Sequence, residues 1–330
     1  MKKLISILII MMMAATCLTA CGSDSGSDEG SGGGSDKEGQ LKIVTTIFPL
    51  YDWTRNVLGD MEKDAKLTML MDEGVDLHSY QPNAEDLSAI AECDVFIYVG
   101  GTSDEWTKDA LDQAENKDMI IINLMDIMGD KAKEEEHKEG MQEEEEHGDD
   151  EKEYDEHVWL SLRNAGTFVS EIEKALSKAD EKNADAYKKN SAEYENKLSS
   201  LDDEYKKAVA DGSVKTLLFG DRFPFRYMTE DYGLDYYAAF AGCSAESEAS
   251  FKTISFLAKK VDELKLKNVI TIEGSDKKIA KSIIANTKEK NQKILTMDSM
   301  QQITSKEVDS GATYLSLMEK NLKVLSKALK

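Results

Sequence analysis

Residues 181–210 run for about thirty positions without a glycine or a proline, and Tyr187, Tyr194, Leu198, Leu201, Tyr205 and Ala208 fall along them at spacings of 7, 4, 3, 4 and 3. That repeat is one face of an amphipathic helix, long enough to reach about 45 Å. A rod of this kind divides the chain, and the text on either side of it carries one pattern. Before it, short β-branched and aliphatic runs occur at 42–48, 67–70, 95–99 and 120–124, with helical text such as 84–91 between them. After it, similar runs occur at 214–219, 236–240, 269–272 and 294–296, with helical text at 250–264 and 277–287. Short apolar runs alternating with helices predict parallel sheets covered by helices. The expected fold is therefore α/β, with two lobes, each a parallel sheet flanked by helices, joined by one long rigid helix. Two shorter helices broken near Asn190-Ser191 are the alternative.

The start of the chain belongs to neither lobe. Met1-Lys2-Lys3 is followed by an apolar run over 4–18, interrupted by Ser6 and Thr16, which is short for a membrane span and fits a secretory signal. Leu18-Thr19-Ala20-Cys21 resembles a bacterial lipobox, which implies that Cys21 is lipidated and becomes the mature N-terminus. Residues 22–40 contain no aliphatic or aromatic side chain and read as a flexible Gly/Ser/Asp tether. The expected organisation is a lipoprotein signal peptide at 1–20, a tether at 21–40, an N-terminal lobe at 41–180, a linking helix at 181–211 and a C-terminal lobe at 212–330. A lipid on Cys21 would hold the protein at the outer face of a bacterial cytoplasmic membrane, of Gram-positive type.

The chain has 41 Lys+Arg against 64 Asp+Glu, a formal charge of −23. Such a charge repels phosphate backbones, so no nucleic-acid partner is expected. Loss of 1–20 removes Lys2 and Lys3 and takes the charge to −25. The excess is concentrated: 130–156 holds fifteen acidic residues, four lysines, His137 and His147. Repulsion within such a run is expected to keep it open. It either gathers cations or keeps the protein soluble.

Four histidines are present. His78 follows a strand candidate in a turn-rich segment, and His157 stands where the acidic run returns to ordered text. Neutral imidazoles with carboxylates form the ligand set of zinc and its first-row neighbours. Cys93 and Cys243 lie far apart with no C-x-x-C spacing, so they are expected to be buried free thiols. Tyr51, Trp53, Tyr80, Trp106 and Trp159 are expected to pack in the core and cleft walls. Arginine is scarce, and an ion pair of Arg222 or Arg226 with cleft carboxylates is one possible use of it. No H-E-x-x-H, G-x-S-x-G or phosphate-loop motif occurs, so no enzyme is expected.

Three segments carry a family resemblance: Ile43-Val44-Thr45-Thr46-Ile47-Phe48-Pro49-Leu50-Tyr51-Asp52, His78-Ser79-Tyr80-Gln81-Pro82, and His157-Val158-Trp159-Leu160-Ser161. Together they resemble the zinc/manganese-type solute-binding lipoproteins of bacterial metal ABC importers, in order over about 41–330. The resemblance implies two α/β lobes with one metal in the cleft between them. The partners implied are a membrane permease and its ATPase, and the binding protein is implied to be monomeric. It maps ligands onto His78 and His157. Zinc members have a third histidine, and manganese members a glutamate, in the segment that here reads Phe219-Gly220-Asp221-Arg222-Phe223-Pro224-Phe225. Asp221 is the nearest carboxylate there, although an offset of one residue would place Arg222 instead. The fourth family ligand maps onto Asp298; Glu273, at the end of the strand candidate 269–272, is a second carboxylate for that place, with a structural or supporting role as its other reading. The expected cargo is Zn2+, with Mn2+ as the alternative; the acidic loop with His137 and His147 is a possible auxiliary metal site. A surface adhesin or a zinc hydrolase built on the same residues are the readings from other classes.

Overall fold

The computed structural model of the protein describes residues 39–142, 153–244 and 248–330. The signal sequence, Cys21, the tether up to residue 38 and His147 lie outside the described residues. Eight strands form two four-stranded sheets. In the first, β1 (Leu41–Thr45), β2 (Ala65–Met69), β3 (Val95–Tyr98) and β4 (Ile120–Asn123) are ordered β2-β1-β3-β4. In the second, β5 (Thr216–Arg222), β6 (Asp235–Phe240), β7 (Asn268–Ile272) and β8 (Lys293–Met297) are ordered β6-β5-β7-β8. All pairings are parallel, as in Ile43↔Leu67 and Ile270↔Leu295. Each half repeats one winding, with the first strand inside the second. Helices cover both faces, which is why strands such as Val95–Tyr98 are buried throughout.

The long rod is one continuous helix, Ala184–Asp211, preceded by a 3-10 turn at Glu181–Asn183, with no break at Asn190-Ser191. Tyr187, Tyr194, Leu198, Leu201 and Tyr205 are buried along it as the stripe requires, and Val209 replaces Ala208 as the last buried position. It packs against the helices Leu162–Ala179, Phe48–Leu58 and Tyr314–Ala328. Asp52 fastens this bundle: its carboxylate accepts the Tyr314 N–H at 3.0 Å and the Tyr194 hydroxyl at 3.3 Å. One hydrophobic core runs without interruption from Ile43 and Val95 in the first sheet to Leu217, Ile270 and Met297 in the second. That continuity restrains hinge motion between the sheets.

Two expectations change. The strand expected at 214–219 extends through Gly220-Asp221-Arg222, with a register irregularity between Phe219 and Arg222. Gly220 permits this course, because a Cβ there would stand 2.7 Å from the Ala280 Cα. The acidic segment, expected to be open, is tied down at several points within its described residues. Glu134 and Tyr154 form an antiparallel bridge, closed by Glu135 N–H to Glu153 O and Asp155 N–H to Lys133 O, both at 2.8 Å. Its carboxylates find donors instead of repelling one another: Glu136 accepts the Tyr236 hydroxyl at 2.9 Å, and Glu135 accepts the Gly242 N–H at 2.6 Å. His137 is exposed.

Candidate metal centre

Every residue with a claim on the chemistry lies at or beyond the carboxyl end of a parallel strand, where open α/β sheets bind ligands. His78 follows β2 on a 3-10 turn, Leu77–Ser79, whose N-cap Asp76 accepts the His78 N–H at 3.1 Å. Its Nδ1 shares a hydrogen bond of 2.7 Å with the Ser103 hydroxyl. Ser103 stands in the turn after β3, which Asp104 shapes by accepting the N–H groups of Val99 and Gly100, both at 2.9 Å. Glu156 accepts the Ser103 N–H at 2.9 Å, and its other oxygen is 3.8 Å from His78 Nδ1. Gly101, at φ +83°, makes room for this carboxylate, since a Cβ there would lie 2.4 Å from Glu156 Oε1.

His157 is fully buried. Asp155 accepts both its backbone N–H, at 2.8 Å, and a bond from its Nδ1, at 3.1 Å. With both Nδ1 atoms engaged, the Nε2 atoms of His78 and His157 face each other at 3.3 Å. A carboxylate or hydroxyl behind each ring is the arrangement that fixes a metal-ligating imidazole.

Burial pushes His78 down to about 3, with the neighbouring His157 adding to the effect, and burial pushes His157 down to about 4. Both rings are therefore neutral at pH 7, the form that binds metal. The carboxyls behind them move the other way: burial raises Asp155 and Glu156 each to about 7.

Among the described residues, His78, His157 and Cys243 form a group whose ligating atoms all lie within 4.8 Å of one another. Cys243 follows β6 and is a free thiol. The spacing in sequence gave no sign of this meeting, because the three residues come from three distant turns. Gly242 allows it: a Cβ there would meet Phe223 O at 2.9 Å and the His157 ring at 3.2 Å.

Asp221 and Asp298 lie outside that group. The Asp221 carboxylate accepts the N–H groups of Arg222 at 3.0 Å and Ile272 at 3.3 Å, and Gly220 beside it has no side chain to offer. Asp298 accepts the Met300 N–H at 2.9 Å, and burial raises its carboxyl. Glu273 holds Ser299 through its N–H, at 2.7 Å, and its hydroxyl. Burial and then the nearby Asp298 charge raise Glu273 to about 7. Arg222 pairs with Asp76 at 2.6 Å across the mouth of the site. Burial alone would raise Asp76, but the Arg222 guanidinium, together with His78 and its backbone N–H, holds that carboxyl below its usual value.

A cavity of about 430 Å³ lined by Asp76, His78, Asp221, Arg222 and Glu273 leads to this point. A larger depression of about 960 Å³ lies at the amino ends of β1–β4, remote from the histidines.

A family model described as "ZnuA: Zinc-uptake complex component A periplasmic" matches residues 43–328. The zinc-binding protein AdcA of Streptococcus pyogenes is 32% identical over 300 residues, which cover 87% of this chain and 56% of that protein. The chain thus spans about half the length of the streptococcal relatives it matches. The high-affinity zinc uptake system protein ZnuA of Bacillus subtilis is 28% identical over 315 residues, covering 94% of this chain and 93% of that protein. The crystal structure of the Zn(II)-bound ZnuA-like domain of Streptococcus pneumoniae AdcA superposes with a TM-score of 0.69 at 27% identity, over 88% of this chain and 99% of that one. Two parallel sheets flanked by helices and a single long helix agree with these matches, and the chain belongs to the ZnuA family, the periplasmic A components of zinc-uptake complexes.

Proposed function

We propose that this protein captures one Zn2+ outside the cytoplasmic membrane and hands it to the permease and ATPase of a metal ABC importer. The reading takes His78 Nε2 and His157 Nε2 as ligands, and it involves binding and release with no bond broken in the cargo. Their separation is the observation that carries it. Two nitrogens, each about 2.05 Å from a tetrahedral ion, stand about 3.3 Å apart, and these two stand 3.3 Å apart. When Ser103 and Asp155 each accept the Nδ1 proton of the ring in front of them, both Nε2 lone pairs are left for a cation placed between them.

In this reading the lobes are 41–180 and 212–330, with 181–211 as the linking helix. The protein acts as a monomer held at the membrane by a lipid on Cys21. The continuous core favours small motions of the turns around His78 and Cys243 over wide opening of the lobes. Competitive titration of the metal-free protein with Zn2+ and Mn2+ tests it: one tight Zn2+ per chain that Mn2+ does not displace is expected. Preference for Mn2+ would replace zinc by manganese as the cargo.

A further inference from the structure

We propose that Cys243 is a metal ligand, its Sγ joining His78 Nε2 and His157 Nε2 in a site of two nitrogens and one sulfur that favours thiophilic ions over Mn2+. This rests on the metal-capture reading above and adds to it the donor that decides selectivity. The three ligating atoms lie within 4.8 Å of one another. A thiolate about 2.3 Å from a tetrahedral zinc stands about 3.6 Å from each nitrogen, a separation inside that limit.

The loop carrying Cys243 is built to stand there. Glu135 anchors it by accepting the N–H of Gly242 at 2.6 Å and that of Cys243 at 3.5 Å. Gly242 presses its backbone against His157, where any side chain would collide with the ring and with Phe223 O. The strand-end segment around Gly220 cannot supply a side chain at that position, because Ala280 occupies the space. A donor from the neighbouring strand end takes up the coordination instead.

On binding, the thiol proton passes to solvent and the S–metal bond forms, with no change of oxidation state. One thiolate and two imidazoles leave a fourth position for water or a carboxylate. Sulfur donors discriminate against Mn2+, which prefers oxygen ligands.

Co2+ is the probe. The metal-free protein titrated with Co2+ is expected to develop a sulfur-to-cobalt charge-transfer band in the near ultraviolet, displaced by one equivalent of Zn2+. Cys243→Ser is expected to lose that band and to weaken Zn2+ binding at least tenfold, roughly the cost of losing an outer-shell partner alone, while Mn2+ binding changes little. Because the wild-type spectrum needs no variant, a folding defect in Cys243→Ser does not blunt the test. Tight Co2+ binding without the band would overturn the cysteine assignment and leave the metal-capture reading standing. Failure of wild-type protein to bind either ion would overturn both.

Discussion

The Arg222 guanidinium lies 2.6 Å from the Asp76 carboxylate, and the same carboxylate accepts the backbone N–H of His78. One acid therefore ties the end of β5 to the turn that aims a proposed ligand. Asp76→Ala is expected to weaken Zn2+ binding about 10- to 100-fold by releasing that turn, the usual penalty for losing a group that orients a ligand. A double-mutant cycle with Arg222→Ala is expected to give a coupling of about 1–3 kcal/mol in unfolding free energy. Additive effects would show that the pair is only a surface contact.

Gly242→Ala places a methyl group against Phe223 O and the His157 ring. The loop must shift, at a cost of about 1–3 kcal/mol by the usual penalty for overpacking. Urea unfolding is expected to show a loss of that size, together with weaker zinc binding. Wild-type values for both would mean that the loop is free to move away from His157.

The acidic segment divides into parts with different expected roles. Replacing residues 143–152 by a Gly/Ser segment of equal length removes His147 and seven acids and is expected to leave the zinc dissociation constant within about threefold, since no proposed ligand or anchoring group is lost. Glu135→Ala, by contrast, removes the acceptor of the Gly242 N–H and is expected to weaken binding. It orphans a donor that is part-buried beside His157. Calorimetry on the two variants distinguishes local anchoring from bulk charge, which would reverse the order.

Stability of the metal-free protein carries a pH signature. Asp155, Glu156 and Glu273 sit at about 7 in the fold against ordinary values of 3.8 and 4.5, while His78 and His157 sit at about 3 and 4 against 6.5. Below pH 6.5 the two sets oppose each other, because the unfolded chain takes up histidine protons while the fold retains carboxyl protons. Above it the imidazoles are neutral in both states, and the fold still holds carboxyl protons that the unfolded chain has released. Stability must then fall as pH rises from about 6.5 to about 8. Urea midpoints at the two pH values test this, and Glu156→Gln is expected to flatten the slope. A midpoint that rises with pH would contradict it.

The strands and the long helix were legible in the sequence because burial on both faces demands unbroken β-branched runs, and a half-buried rod demands a stripe near 3.5 residues. His78 and His157 stood out because histidine is rare and their segments match a family. Asp155 and Glu156 could not be told from the thirteen other acids around them, since only the fold decides which carboxylates lie behind an imidazole. Cys243 gave no signal, because it meets His78 and His157 from a third distant turn, and residues drawn together that way leave no local spacing. Gly220 and Gly242 were equally silent: their value lies in side chains that would collide, and no composition records that.

The central claim, that His78 and His157 together hold the cargo, is tested most directly by zinc titration calorimetry on the metal-free wild-type, His78→Ala and His157→Ala proteins, each checked for retained helix content. One Zn2+ per wild-type chain and a loss of at least about 100-fold in each variant are predicted, a ligand being worth more than the groups that orient it. Wild-type zinc affinity in either folded variant would contradict the account.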